Sequence, residues 1–154
     1  MDFYNTLDFN EKKGFICDMD GVIYHGNRVL PGVAEFIQWL HDENKEYLFL
    51  TNNSGYTPRE LSQKLARMGL DVTEEHFYTS ALATAAFLRD QAPGCSVFAI
   101  GEAGLLNALY DAGITMNDVN PDYVVVGEGR SYSLDTLTKA TNLVWRGAKL
   151  IGAN

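Results

Sequence analysis

The chain has 154 residues, 46% of them hydrophobic and 12% aromatic, which is enough for a buried core in one domain or two small ones and argues against a disordered chain. Twenty acidic residues against twelve basic ones leave a net charge of −8, which excludes a sequence-independent nucleic-acid binder, because that needs a clustered basic surface to displace counterions from phosphate. No stretch approaches the roughly 20 apolar residues of a membrane span, residues 1–13 are polar and acidic where a secretory leader would be basic and then apolar, and two cysteines suit reduced thiols better than a disulfide framework, so the sequence reads as cytoplasmic.

Phe15-Ile16-Cys17 is a short apolar run and predicts the first strand. It leads into Asp18-Met19-Asp20-Gly21, so two carboxylates emerge where a buried strand stops. Residues i and i+2 on extended backbone project to the same side, which lets Asp18 and Asp20 share one site. An Asp-Gly turn closing a strand is the plainer reading of the same four residues. Carboxylates held close in one pocket need a cation between them or a shared proton. Residues 24–29, with His25-Gly26-Asn27, predict a hairpin flap beside Asp20. Pro31 is expected to open a helix whose buried face is Val33, Phe36, Ile37 and Leu40.

Tyr47-Leu48-Phe49-Leu50 is apolar without alternation and suits a central parallel strand, ending at Thr51-Asn52-Asn53-Ser54-Gly55. Thr57-Pro58-Arg59-Glu60 is a capping box with Pro at the first helical position, and Leu61, Leu65 and Met68 carry the buried face until Gly69. A third strand over 77–79 leads through Ser80, read as the N-cap, into a helix over 81–89. After Pro93-Gly94 the pattern restarts with strand 97–100, helix 105–110, strand 123–126, helix 134–145 and strand 149–151. The order predicts an α/β fold of three-layer, Rossmann-like units on parallel sheets. The boundary falls near residue 80, giving 1–80 and 81–154, and the second unit has three strands. Its last strand is an exposed edge that invites pairing, so a homo-oligomer is an expectation.

Thr51-Asn52-Asn53 also lies at the carboxyl end of a strand, where parallel neighbours present their ends side by side, so it should face Asp18 and Asp20. A hydroxyl followed by free backbone N–H groups suits phosphoryl oxygens. With a carboxylate nucleophile nearby, the combination reads as phosphoryl transfer through an aspartyl-phosphate. Taken alone, residues 51–54 are equally an Asx-type loop ahead of a capped helix. A calcium loop counted from Asp18 would need ligands where Val22 and Val29 stand. Gly101-Glu102-Ala103-Gly104 falls short of the dinucleotide fingerprint and reads as packing and turn glycines. His25, His41 and His76 lack ligand spacing, and Trp39 and Trp145 read as core or rim packing.

The stretch Asp18-Met19-Asp20-Gly21-Val22-Ile23-Tyr24, Pro31-Gly32, Thr51-Asn52-Asn53-Ser54, Phe77-Tyr78-Thr79-Ser80 and Asn120-Pro121-Asp122-Tyr123 to Gly127-Glu128 together resemble the haloacid dehalogenase superfamily, in its NagD and p-nitrophenyl-phosphatase branch. The resemblance implies a partial Rossmann-like core over 1–80 and the first part of an inserted α/β cap of the C2 type over 81–154. It implies Mg2+-dependent hydrolysis of a small phosphorylated metabolite, a sugar phosphate or nucleoside monophosphate. Asp18 would be the nucleophile and Asp20 the general acid/base, with Thr51, Asn52 and Asn53 gripping the phosphoryl group. The Asp18 carboxylate and the Asp20 backbone carbonyl would hold the metal. Caps of this family read the leaving group, so Glu128, Arg130 and Tyr132 are expected near substrate, with turn packing the alternative for each. The family's lysine and completing acidic motif come from a later segment without a counterpart here, so the chain is expected to end inside the cap and to be weakly active or inactive alone. A non-catalytic binding or regulatory module, or one piece of a split or self-associating assembly, is the competing expectation.

Overall fold

A computed structural model describes residues 8–130 and 132–154; the first seven residues of the polar opening stretch lie outside the described residues. Strand β1 (Gly14–Asp18) is followed by a tight turn and a two-stranded flap of β2 (Tyr24–His25) and β3 (Arg28–Val29), then by helix α1 (Val33–Asp42). Pro31 stands ahead of this helix, not in its first turn. Gly32 takes the cap position at φ 85, a left-handed conformation open to glycine, and the chain swings there from flap to helix. Strand β4 (Glu46–Thr51), helix α2 (Pro58–Arg67), strand β5 (Phe77–Thr79) and helix α3 (Ser80–Gln91) complete the first half. The Thr57 capping box forms as expected: Thr57 N donates to Glu60 Oε2 at 2.8 Å and Glu60 N to Thr57 Oγ1 at 3.2 Å.

The first sheet is parallel with order β1-β4-β5, so the apolar, non-alternating strand is central. Val33, Ile37 and Leu40 of α1 and Leu61 and Leu65 of α2 join Tyr47, Phe49 and Phe77 in one buried cluster, which puts both helices on the same face. Trp39 closes its margin against the rings of Phe15 and Phe36, at 5.4 and 6.0 Å. His41 and His76 both pack on Tyr47, with ring centres 5.7 and 3.8 Å away, so their role is packing. On the opposite face, register sets Ile16 beside Leu48 and places Leu50 between Asp18 and Tyr78. That face is open: Ile16 is 70% exposed, Leu50 39% and Tyr78 38%. The described residues therefore supply two layers of the Rossmann-like first unit.

The second sheet contains β6 (Ser96–Ile100), β7 (Thr115–Met116), β8 (Tyr123–Gly127) and β9 (Lys149–Ala153), with α4 (Ala103–Asp111) and α5 (Leu134–Trp145) between them. All pairings are parallel in the order β7-β6-β8-β9. The expected three strands are thus four, because β7 is a two-residue pairing without an apolar run to announce it. Ala81, Ala85 and Leu88 of α3 and Leu105 and Leu109 of α4 cover one face over Val97, Val125 and Ala153. Ala140 and Leu143 of α5 cover the other over Ile100 and Val124. Trp145, expected in core or rim packing, is 90% exposed, because α5 turns Ala140 and Leu143 to the sheet and its last turn outward. Both cysteines are free. No described helix is long and apolar enough to cross a membrane.

Candidate active site

Asp18 is the last residue of β1 and aligns with Leu50, so the carboxyl ends of β1 and β4 lie side by side and Thr51 stands one residue past the aligned pair. Beyond it the alternation of the strand continues. Asp18 and Asp20 are exposed while Met19 between them is wholly buried in the core beneath. The turn is tight: Val22 N and Ile23 N donate to Met19 O at 3.2 and 2.9 Å, and Gly21, at φ 81, donates from its N to Tyr24 O at 2.8 Å. Asp18 Oδ1 accepts from Met19 N at 2.7 Å.

Tyr24, 2% exposed, is tied to this turn through its backbone oxygen. Burial first, then the charge of the adjacent Asp20 carboxylate and a hydrogen bond to it, then Tyr56 and Asp18, hold the Tyr24 phenol well above its usual range. The charges of Asp20 and Asp18 and the Tyr56 phenol all act on the Tyr24 phenol in the same direction. Lys64 Nζ sits 3.9 Å from the centre of the Tyr24 ring and 5.7 Å from that of Tyr56, a cation over two aromatic faces. Tyr24 is four residues past Asp20, and it is the tight turn that folds it back, a signal visible in the sequence only as Gly21.

The loop over residues 51–56 is internally bonded. Thr51, 6% exposed, accepts from Asn53 N at 3.1 Å through its Oγ1. Asn53 Oδ1 accepts from Gly55 N at 2.9 Å and Tyr56 N at 3.3 Å. The Asx-type loop thus forms, and the Asn53 N–H expected to be free is shared with Thr51. Asn52 turns the other way, its Nδ2 donating to Asn154 Oδ1 at 2.9 Å. Asn53, Tyr56, Glu102, Glu128 and Arg130 line one cavity of about 310 Å³. Glu128 and Arg130 are also tied through their backbones, Glu128 N donating to Ser54 Oγ at 2.7 Å and Arg130 N to Glu102 Oε1 at 3.1 Å. Tyr56 joins the two groups, lining this cavity and standing near Tyr24.

Two serines sit at this junction, Ser54, which motif reasoning left without a role of its own, and Ser80, which it read as an N-cap. Ser54 is fully buried and receives Glu128 N from 74 residues away, a separation no local pattern reveals. Ser80 is not the cap of α3, because Thr79 Oγ1 accepts from Leu82 N at 3.2 Å and takes that position. The Ser80 hydroxyl is thereby freed to donate to Asn52 O at 2.7 Å and to Ala153 O at 3.1 Å. The Asp18 carboxylate and the Asp20 carbonyl are hard oxygen donors of the kind Mg2+ takes, an ion that keeps several waters and needs only one or two carboxylates. Among the described residues, no group of three or more His, Cys, Asp and Glu forms a fuller metal cluster.

Residues 15–115 match the family described as haloacid dehalogenase-like hydrolase. The dihydroxyacetone phosphatase of Corynebacterium glutamicum is 45% identical over 140 residues, 91% of this chain and 51% of that protein. The ribonucleotide monophosphatase NagD of Escherichia coli is 46% identical over 142 residues, 92% of this chain and 56% of that protein. Among solved structures, NagD of E. coli superimposes with a TM-score of 0.86 at 45% identity, covering 93% of this chain and 57% of that one. A 4-nitrophenylphosphatase from Thermotoga maritima gives 0.87 at 32% identity, covering 94% and 56%. The chain spans about half the length of the curated relatives it matches.

Proposed function

The chain belongs to the haloacid dehalogenase-like hydrolases, and on that premise we propose that residues 1–80 carry the nucleophile side of a phosphomonoesterase core and residues 81–154 the beginning of its cap. The relatives' printed names range over dihydroxyacetone, ribonucleotide and acid sugar phosphatases, which supports a small phosphorylated metabolite as substrate. One observation carries the reading: two exposed carboxylates flank a buried methionine at the end of β1, beside the strand that ends in Thr51.

An Asp18 carboxylate oxygen attacks phosphorus, and the bond to the leaving oxygen breaks as Asp20 gives that oxygen its proton. Asp20 then takes a proton from water, which attacks the aspartyl-phosphate and releases phosphate and the free Asp18 carboxylate. The Thr51 hydroxyl and the backbone N–H groups of the loop at Asn52 and Asn53 hold the phosphoryl oxygens, the Asn52 side chain being engaged with Asn154, and Glu128 and Arg130 meet the leaving group from the cavity wall. Tyr24 steadies the Asp20 carboxylate through its hydroxyl. The Asp18 carboxylate and the Asp20 carbonyl would hold Mg2+, which would supply charge neutralisation for the transferring group. With two metal-facing groups and no third acid gathered among the described residues, the 154-residue chain alone turns over slowly.

Beryllofluoride, a mimic of the phosphoryl group on aspartate, tests the nucleophile without turnover. With Mg2+ it should give a bound ¹⁹F signal that Asp18→Asn abolishes; an undiminished signal in the variant rejects Asp18 as nucleophile. Brisk hydrolysis of p-nitrophenyl phosphate by the chain alone would reject the slow-turnover claim. A second reading, one piece of an assembly, is favoured by the open apolar face of Ile16, Leu50 and Tyr78. Light scattering decides it, since a monomer at all concentrations removes self-association.

A further inference from the structure

The loop after β4 is fastened to the second sheet at several separate points, and the fastening needs particular residues. Ser54 buries its hydroxyl completely and accepts from Glu128 N at 2.7 Å. A buried polar group without a partner is costly, so this bond and not mere filling accounts for a serine there. The approach is close enough to exclude side chains on the other side. A Cβ at Gly127 would lie 2.8 Å from Ser54 Oγ and 2.7 Å from Leu105 Cδ2, and one at Gly104 would lie 2.6 Å from both Ser54 O and Tyr56 O. Gly104 N donates to Gly55 O at 3.0 Å. On the far side of the loop, Ser80 reaches Asn52 O at 2.7 Å and Ala153 O at 3.1 Å.

We propose that Ser54 is a positioning residue, whose buried hydroxyl couples the phosphate-gripping loop to the turn over 127–130 so that phosphoryl group and leaving group are held in one geometry. Ser80 provides the second anchor, from the loop to the end of β9. The inference rests on the reading of Thr51, Asn52 and Asn53 as the phosphate grip and extends it: specificity arises because a ligand on the turn changes the loop that holds phosphate. A leaving group that disturbs Glu128 strains the grip, and one that fits leaves it intact.

Titration of the ¹⁵N-labelled 154-residue chain with inorganic phosphate and Mg2+ tests both levels separately. The amides of Thr51, Asn52 and Asn53 should shift, and those of Glu128 and Gly104 should shift with the same midpoint. In Ser54→Ala the phosphate affinity should fall about tenfold, as expected for a lost buried hydrogen bond, and the Glu128 response should disappear. Ser54→Cys keeps a side chain with an S–H group, slightly larger, while weakening the acceptor, and should show the same loss of affinity and of the Glu128 response if Ser54→Ala fails to fold. Loop shifts without any response at Glu128 and Gly104, or an unchanged Glu128 response in both variants, would overturn the coupling and leave the phosphate reading standing. No shift at the loop itself would overturn the phosphate reading, and the coupling with it.

Discussion

In the second sheet α3 and α4 close one face over Val97 and Val125 while α5 closes the other over Ile100 and Val124, whereas in the first sheet α1 and α2 share the face of Tyr47, Phe49 and Phe77. The same parallel pairing therefore supports two different kinds of surface. Where both faces are filled, the sheet is a closed three-layer unit with its own core. Where one is filled, an apolar strip from Ile16 to Tyr78 faces outward, and Asp18 stands at the end of that strip. The carboxylate pair thus stands at the end of the less supported sheet, and the loop beside it is hydrogen-bonded to the better supported one.

Substitutions can break this contrast or sharpen it. Phe49→Ala removes a fully buried ring from the filled face of the first sheet and should cost about 3–5 kcal/mol in urea unfolding. Leu105→Ala, fully buried in the second unit, should cost about 2–5 kcal/mol by the same measurement. If either loss stayed below about 1 kcal/mol, the buried clusters would not be the cores described. Thr57→Ala dismantles the capping box of α2 and should cost about 1 kcal/mol. Ile16→Thr, on the open face, should stay within about 0.5 kcal/mol. A loss approaching that of Phe49→Ala would mean a covered face, and the contrast between the sheets would fail.

The smallest expected effect is a pH dependence at the start of β6. Asp122 Oδ2 accepts from Ser96 N at 2.8 Å and Ser96 Oγ at 2.9 Å, and these bonds hold its carboxyl below the usual carboxylate range. A depressed folded-state pKa contributes stability that is fully present above the unfolded value, about 4, and is lost as pH falls through the lower folded value. Asp122→Asn should therefore lower Tm slightly at neutral pH, with the gap to the parent chain closing in acid. A gap that persisted at low pH would remove the carboxylate as its source.

Much of this contrast was legible locally. The capping box at Thr57, the bounds of α5 and the central position of β4 all follow from neighbours within a few residues, and the structure has each of them. What escaped depended on distant partners. Ser80 looks like an N-cap until Thr79 is seen to take that place, and its hydroxyl answers to residues 28 and 73 positions away. The two residues of β7 pair only because β6 is beside them. Gly104 could be read as a packing residue, but that it and Gly127 both pack against Ser54 follows from the meeting of two sheets. At the candidate site the Asp18 and Asp20 pattern was visible as alternation, while Tyr24 and Ser54 required the folded turn.

The two indole rings live in opposite circumstances, Trp39 edge-on to Phe15 and stacked on Phe36, and Trp145 almost wholly in solvent. Their emission therefore reports on different things. Trp145, 90% exposed, should fluoresce at long wavelength and be open to acrylamide or iodide before any denaturant is added, so loosening of the second sheet should pass nearly unseen by it. The blue component, and its loss on unfolding, belongs to Trp39, which makes an ordinary fluorescence melt of this protein a gauge of the one-sided sheet alone.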